Sequence, residues 1–144
     1  MAERVWTIPD KRMKAGREHR VPLTDRAIEI IEIQSSRRER KYVFPGGRFG
    51  EPLGSNSLWK FMGELGRRVS VHGFRSSFRT WAAEQTTFPA EIAEMRLGHI
   101  VGTAVERAYQ RSDLFQRRRQ LAEAWSQYCT GPAREASIVP LRAT

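Results

Sequence analysis

The segment from His72 to Tyr109 constrains the fold most, because it combines helical periodicity with chemically active side chains at fixed places. Apolar residues recur in it at i, i+4, i+7 and i+8, which is the pattern of one buried helical face. These residues are Phe74, Phe78, Trp81 and Ala82. The pattern predicts a helix from Gly73 to about Gln85, with His72 and Arg75 near its start.

Two glycines divide the rest of this segment. Pro89 suits the first turn of a helix, and Gly98 suits the left-handed residue that ends one. We therefore expect His99 to leave this helix at a sharp turn that holds its imidazole in place. Gly102 and the residue after it then open a short helix that ends near Tyr109.

Strand and helix patterns flank this segment. The pattern from Arg4 to Leu23 predicts a β-hairpin. Thr24 is the predicted N-cap of a helix that runs to about Ser35. We also expect a short extended piece at Tyr42–Phe44, a helix capped by Ser55 or Asn56, and a long last helix beginning at Asp113. Its apolar stripe would be Leu114, Leu121, Ala122, Trp125 and Tyr128, with the run Arg117, Arg118 and Arg119 mostly facing outward. The fold class predicted is mainly α with a small antiparallel β-hairpin, in one domain over residues 1–130 and a mobile tail over 131–144.

The charge points to a polyanionic partner. Lys and Arg total 25 against 16 Asp and Glu, a formal net charge of +9 that favours nucleic acid over a neutral ligand. Cys129 stands alone, which fits a reducing compartment, and no apolar run is long enough to span a bilayer. We expect a cytoplasmic protein without a membrane partner, and neither a metal site nor a cofactor.

The ordered motifs resemble those of a known family. His72-Gly73-Phe74-Arg75, then Leu97-Gly98-His99, then Tyr109 match in order and spacing the C-terminal catalytic motifs of the tyrosine recombinases, and the surrounding sequence is similar to prophage integrases. The resemblance covers roughly Val5 to Tyr128. It implies a recombinase catalytic-domain fold, and site-specific recombination of double-stranded DNA at attachment sites through a 3′-phosphotyrosyl intermediate.

The resemblance also implies a role for each site residue. Tyr109 would be the nucleophile, Arg75 would clamp the scissile phosphate, and His99 would donate a hydrogen bond in the transition state. His72 would assist proton transfer near the tyrosine. Simpler alternatives remain for all four: a half-buried core tyrosine, a surface arginine, a histidine that packs on the Gly98 turn, and a histidine that caps its helix.

The hairpin loop supplies the remaining site residues. Lys14 is the candidate general acid, because the family carries a catalytic lysine in such a hairpin, and Lys11 competes for that role. Lys11, Arg12, Arg17 and Arg79 are the candidate DNA-binding residues. Basic side chains at a hairpin tip can also be merely solvated.

The match departs from the family in one respect. The family uses a further arginine from a motif before the lysine hairpin, and Arg4, Arg12, Arg17 and Arg20 do not stand in that context. We therefore expect a C-terminal fragment of an integrase that cleaves DNA poorly or not at all by itself. Full-length members imply a homotetramer on DNA, in which the tail from Gly131 could be exchanged between neighbours.

Three other functions remain open. A type IB topoisomerase uses similar side chains, although the prophage-like sequence favours recombination. A non-catalytic basic DNA-binding module would keep the charge without turnover. A structural helical domain would carry its charge incidentally and would not bind DNA at low salt.

Overall fold

A computed structural model describes residues 3–36, 41–48, 50–66, 69–109 and 112–132, with only the backbone of 104, 107 and 108. Its elements, in chain order, are β1 Val5–Ile8, β2 His19–Pro22, α1 Asp25–Ser36, α2 Ser57–Glu64, α3 Gly73–Gln85, α4 Ala90–Arg96, α5 Ala104–Tyr109 and α6 Phe115–Thr130. The two strands pair antiparallel. The fold is mostly helical with a small antiparallel sheet, as predicted.

The hairpin of β1 and β2 closes over a basic loop. Val5 lies opposite Pro22 and Ile8 opposite His19. The chain between the strands makes a 3-10 turn at Asp10–Arg12 and then reverses at Gly16, whose φ of +62° favours glycine. The lysines and arginines of this loop are therefore held at one end of the sheet.

The core lies among α3, α4 and α6. Its buried members are Phe78, Trp81, Ala82, Ile92, Ala93 and Leu121. Aromatic rings extend it, since Trp125 packs edge-on against Phe78 at 5.5 Å and lies 5.0 Å from Trp81 between ring centroids. Burial of this apolar cluster fixes α3 against α4 and so sets the positions of the residues at their ends.

The turn after α4 has the geometry predicted for it. Gly98 has a φ of +76°, and the His99 amide donates to the Glu94 carbonyl at 3.0 Å while the Gly98 amide donates to Met95 at 3.1 Å. This pair of bonds is the Schellman pattern, which ends a helix through a left-handed residue. His99 therefore leaves α4 in a defined direction.

Two predictions about side-chain burial were wrong. Phe74 is 53% exposed, so the buried face of α3 begins only at Phe78. Arg118 is 2% exposed rather than turned outward, because its guanidinium is bonded to the Arg20 carbonyl and to Asp113. Arg117 is exposed, as predicted.

Two local predictions also need correction. Residues Tyr42–Phe44 form bends rather than a strand, and the ordered contact nearby is a single bridge between Pro45 and Pro52. At the start of α2, Asn56 holds the N-cap position but its side chain makes no capping hydrogen bond. Thr24, by contrast, does cap α1, since its hydroxyl accepts from the Ala27 amide at 3.3 Å.

The surface of α2 is apolar and exposed, with Trp59 67% exposed.

Residues 133–144, which are most of the predicted tail, lie outside the described residues, so the domain boundary predicted between 130 and 131 stays a prediction. Within the described ranges, every helix is too short or too polar to cross a lipid bilayer.

Candidate active site

An arginine and a histidine far apart in sequence meet at the ends of α3 and α4. Arg75 lies in the first turn of α3, and its Nη2 is 2.7 Å from Nε2 of His99, 24 residues further along the chain. The same Nη2 donates to the Leu97 carbonyl at 3.0 Å. The Gly98 turn therefore presents both a carbonyl and an imidazole to one guanidinium.

The contacts of His99 define its protonation. A guanidinium can only donate, so Nε2 of His99 accepts from Arg75. Nδ1 then carries the proton and donates to Glu94 Oε2 at 2.5 Å. Hydrogen bonds on both sides thus fix the plane of the imidazole ring.

Glu94 links this pair to a second arginine. Its other carboxylate oxygen accepts from Nε of Arg79, one turn after Arg75 on α3. The hydrogen bond from His99, followed by the hydrogen bond and the charge of Arg79, lowers the pKa of Glu94 below its ordinary value. The result is a continuous network of Arg75, His99, Glu94 and Arg79, which we call the arginine–histidine network.

His72 stands beside this network without joining it. It occupies the N-cap position of α3, but it is exposed and its side chain makes no capping bond. Ser70 does that instead, because its hydroxyl accepts from the Gly73 amide at 2.9 Å. The capping alternative for the His72 side chain is therefore wrong, and this side chain lies at the protein surface.

Tyr109 is the last residue of α5. Its side chain is 84% exposed, which rules out the half-buried core tyrosine. The start of α5 is fixed by a capping box, in which the Thr103 amide donates to Glu106 at 2.6 Å and the Glu106 amide to the Thr103 hydroxyl at 3.2 Å. No hydrogen bond within the described ranges joins the Tyr109 hydroxyl to Arg75 or His99.

The hairpin loop packs on the Gly98 turn. A Cβ placed at Gly98 would lie 3.3 Å from the Met13 side chain and 3.8 Å from the His19 ring, so both approach this glycine closely. Lys14 follows Met13 and is exposed, as are Lys11, Arg12 and Arg17. The hairpin and the arginine–histidine network are therefore neighbours, although the choice between Lys14 and Lys11 stays open.

Two cavities border the Gly98 turn. The first, of about 250 Å³, lies between the hairpin and the start of α6 and is lined by groups that include Arg17, His19, His99 and Asp113. The second, of about 460 Å³, has mainly apolar walls and is also lined by Arg75 and Arg96. Both cavities therefore carry cationic side chains beside His99 or Arg75.

Burial lowers the pKa of two groups beside these cavities, Arg96 and His19. The pKa of Arg96 is lowered to about 10 by burial and by the charge of Arg118, so Arg96 is still protonated at neutral pH. Burial, and then the charge of Arg118, lowers the pKa of His19. His19 is therefore held mainly in its neutral form, while the arginines supply the positive charge.

Sequence reasoning missed Glu94 and Arg96. Glu94 precedes His99 by five residues, which is the spacing that the Schellman turn brings together, so the glycine already singled out could have indicated it. Arg96 lies in the last turn of α4, where a basic residue is common for reasons of helix electrostatics. Nothing in that position by itself distinguishes a site residue.

Comparisons with known proteins identify relatives of this chain. The model of the phage integrase family matches residues 1–114. A prophage integrase of Escherichia coli, IntA, is 37% identical over 126 residues, which cover 84% of this chain and 30% of that protein. The integrase of Shigella phage Sf6 is 29% identical over 130 residues, 87% of this chain and 34% of that protein. No solved structure matches significantly.

The matched span contains the hairpin, the arginine–histidine network and Tyr109, which together are the parts expected of a tyrosine recombinase catalytic domain. The chain belongs to the phage integrase family. It spans about a third of the length of the curated relatives it matches.

Proposed function

We propose that this chain is the C-terminal catalytic part of an integrase, which cuts and rejoins double-stranded DNA at attachment sites through a 3′-phosphotyrosyl intermediate. The observation that carries the proposal is the contact between Arg75 and His99, oriented by Glu94. A guanidinium and an imidazole held at one point are suited to the non-bridging oxygens of a phosphodiester. The formal net charge of +9 supplies the attraction to DNA.

Tyr109 supplies the nucleophile in this mechanism. Its phenolic oxygen bonds to phosphorus, the bond from phosphorus to the 5′ oxygen breaks, and the phosphodiester energy is kept in the new tyrosyl ester. The phenolic proton passes to a base, for which exposed His72 is the candidate. A lysine of the hairpin, Lys14 or Lys11, gives a proton to the departing 5′ oxygen.

The arginine–histidine network holds the phosphate. Nη2 of Arg75 makes its contacts to Leu97 and His99, so among the described residues Nε and Nη1 are left as donors for phosphate oxygens. His99 donates to phosphate from Nε2 once that nitrogen takes up a proton and Arg75 turns toward the phosphate. Glu94 balances the imidazolium charge, because it already accepts from Nδ1.

DNA binding brings Tyr109 into this site. The exposed position of Tyr109 and its lack of a hydrogen bond to Arg75 support a movement of α5 when DNA is bound.

We further propose that the whole protein works as a homotetramer on two DNA sites, in the cytoplasm of its bacterial host. None of Arg4, Arg12, Arg17 and Arg20 stands in the context of the family's further arginine, so we propose that these 144 residues by themselves react about 10²–10³-fold more slowly than a chain with that donor.

The second candidate is a DNA-binding module without catalysis, and the exposed Tyr109 favours it, since no contact activates this hydroxyl in the described structure. One experiment separates the two. A library of nicked duplexes with randomised sequence around the nick is incubated with the chain, and DNA attached covalently to protein is recovered under denaturing conditions. The integrase proposal predicts slow adduct formation that Tyr109→Phe abolishes while salt-dependent DNA binding persists.

Tyr128→Phe is the matched control. Tyr128 is a half-exposed tyrosine whose ring stacks on Trp125, so the substitution removes only a hydroxyl. This variant should form adduct at the parent rate. Binding without adduct in the parent chain would favour the second candidate.

A further inference from the structure

A buried arginine ties the lysine hairpin to the chain segment that follows Tyr109. Arg118 on α6 is 2% exposed, and its guanidinium makes charge-assisted hydrogen bonds to two separate chain segments. Nη1 donates to the Arg20 carbonyl of β2 at 2.7 Å, 98 residues away in sequence. Nε and Nη2 donate to the Asp113 carbonyl at 2.8 Å and to its carboxylate at 2.7 Å. One side chain thus joins β2 to the entry of α6.

The segment that Arg118 holds has an unusual backbone. Leu114 has a φ of +50°, a left-handed conformation that is sterically unfavourable for a residue other than glycine. The Asp113 carboxylate also accepts from the Phe115 amide at 3.1 Å, which closes the turn around Leu114. Since Asp113 follows Tyr109 by only four residues, this turn fixes the C-terminal end of the segment that carries the tyrosine.

The Phe115 ring also packs at this contact between β2 and the start of α6, which we call the joint. The guanidinium carbons of Arg20, Arg118 and Arg119 lie 4.4, 5.6 and 5.1 Å from its centroid. Such cation–π contacts attract each arginine to the ring face. Strand β2, which continues from the basic loop, and the first turn of α6 are therefore packed around one aromatic side chain.

A buried arginine is an inefficient way to stabilise a fold. A buried ion pair recovers its desolvation cost poorly, and apolar residues of similar volume often stabilise a protein as well or better. Because the guanidinium of Arg118 is planar, its N–H donors point in fixed directions toward two carbonyl oxygens and one carboxylate. That geometry sets the distance between the hairpin and the segment after Tyr109.

We infer that Arg118 is a positioning residue, which sets the place of Tyr109 relative to the lysine hairpin through Asp113 and the Arg20 carbonyl. The inference rests on the proposed function, since it assigns the hairpin and Tyr109 to one reaction. Arg118 touches neither DNA nor the reacting atoms in this role. It acts on the rate of the chemical step and leaves DNA binding to the exposed cations.

The test uses the 144-residue chain with Arg118→Lys, Arg118→Met and Asp113→Asn. Hydrogen exchange measures the order of the peptides that contain Tyr109 and residues 112–116, and the library of nicked duplexes measures adduct formation and DNA affinity. We expect faster exchange in those peptides with unchanged exchange in α3 and α4. The adduct rate at saturating DNA should fall about 10²-fold, as for a small misplacement of a reacting group, with the dissociation constant for DNA within twofold of the parent.

Controls separate this inference from simple unfolding and from failure of the proposed function. Arg117→Lys and Arg117→Met change the exposed neighbour and should match the parent in every measurement. Arg118→Lys keeps the positive charge but loses the planar guanidinium, so parent-like exchange and adduct rate in that variant would overturn the inference.

If the Arg118 variants lose order throughout the chain, Asp113→Asn decides, because Asp113 is partly exposed and only one side of the joint is changed. If the parent forms no adduct, the proposed function fails, whereas the exchange data still support or overturn the joint.

Discussion

Nη2 of Arg75 lies 2.7 Å from Nε2 of His99, and this contact decides which nitrogen of the imidazole carries the proton. Because Arg75 only donates, His99 must accept at Nε2 and donate from Nδ1 to Glu94. Arg75 lies on α3 and His99 lies just after α4, and the two side chains meet because Gly98 turns the chain back toward α3. The protein's own contacts therefore bring together the side chains that we propose to hold the phosphate.

Replacement of Arg75 by Lys should remove the planar guanidinium with its several N–H donors while retaining the positive charge. We expect adduct formation on the nicked library to fall about 10²–10³-fold, because a preorganised donor to the phosphate is lost. Arg26→Lys on α1 is the matched control, since Arg26 is exposed and pairs only within its own helix with Glu29. Equal rates for Arg75→Lys and the parent would remove Arg75 from the mechanism.

Glu94→Gln tests the orientation of His99. The amide can still accept a hydrogen bond, but it no longer provides a charged partner for Nδ1 and for Arg79. We expect adduct formation to fall about 10-fold or more, and the nitrogen resonances of His99 to show loss of the single Nδ1-protonated tautomer. Glu91→Gln, on the exposed face of the same helix, should change neither measurement. A single unchanged tautomer in Glu94→Gln would show that Glu94 does not orient this ring.

The basic hairpin loop should account for part of the salt dependence of DNA binding. Neutralising Lys11, Arg12 or Arg17 should lower the slope of log affinity against log salt by about one for each phosphate contact removed. Fluorescence anisotropy with a labelled duplex over a range of salt concentrations measures this slope. Lys60→Gln on exposed α2 is the control and should leave the slope unchanged. A loop that merely solvates the hairpin tip would give parent-like slopes in all three variants.

Acid should destabilise the fold through His19. Its pKa is lowered from the ordinary value of 6.5 by burial and by the charge of Arg118, so the unfolded chain binds more protons than the folded chain below pH 6.5. The stability that His19 contributes is therefore fully present above pH 6.5 and is lost as the pH falls through its folded pKa. Denaturant unfolding at several pH values should show a weaker pH dependence in this range for His19→Gln than for the parent. His72→Gln, at an exposed site, is the comparison, and an unchanged pH dependence in His19→Gln would contradict the assignment.

Much of the fold could be predicted from sequence because its signals are local. The hairpin, the helical stripe that ends in Trp81 and Ala82, and the left-handed Gly98 each follow from residue types at short range. The burial of Arg118 could not be predicted in this way, because periodicity counts every arginine as polar. Its place depends on the Arg20 carbonyl, which lies 98 residues away.

The candidate site was predictable in part for the same reason. His72, Arg75, His99 and Tyr109 stand out by type and spacing, and the structure brings Arg75 and His99 into contact. Glu94 could not be recognised from its type alone, since a glutamate on a helix surface is commonplace and its role depends on the turn that returns His99 to it. The position of Tyr109 near the phosphate stays a prediction, because its side chain lies in solvent in the described structure.

The most direct test of the proposed chemistry is the identity of the tyrosine that carries DNA. Adducts formed with the nicked library are digested with nuclease and protease, and the peptide that retains a nucleotide is identified by mass spectrometry. We predict that the nucleotide is found on Tyr109, joined through its 3′ phosphate. A nucleotide recovered on Tyr42 or Tyr128 instead of Tyr109 would contradict the account.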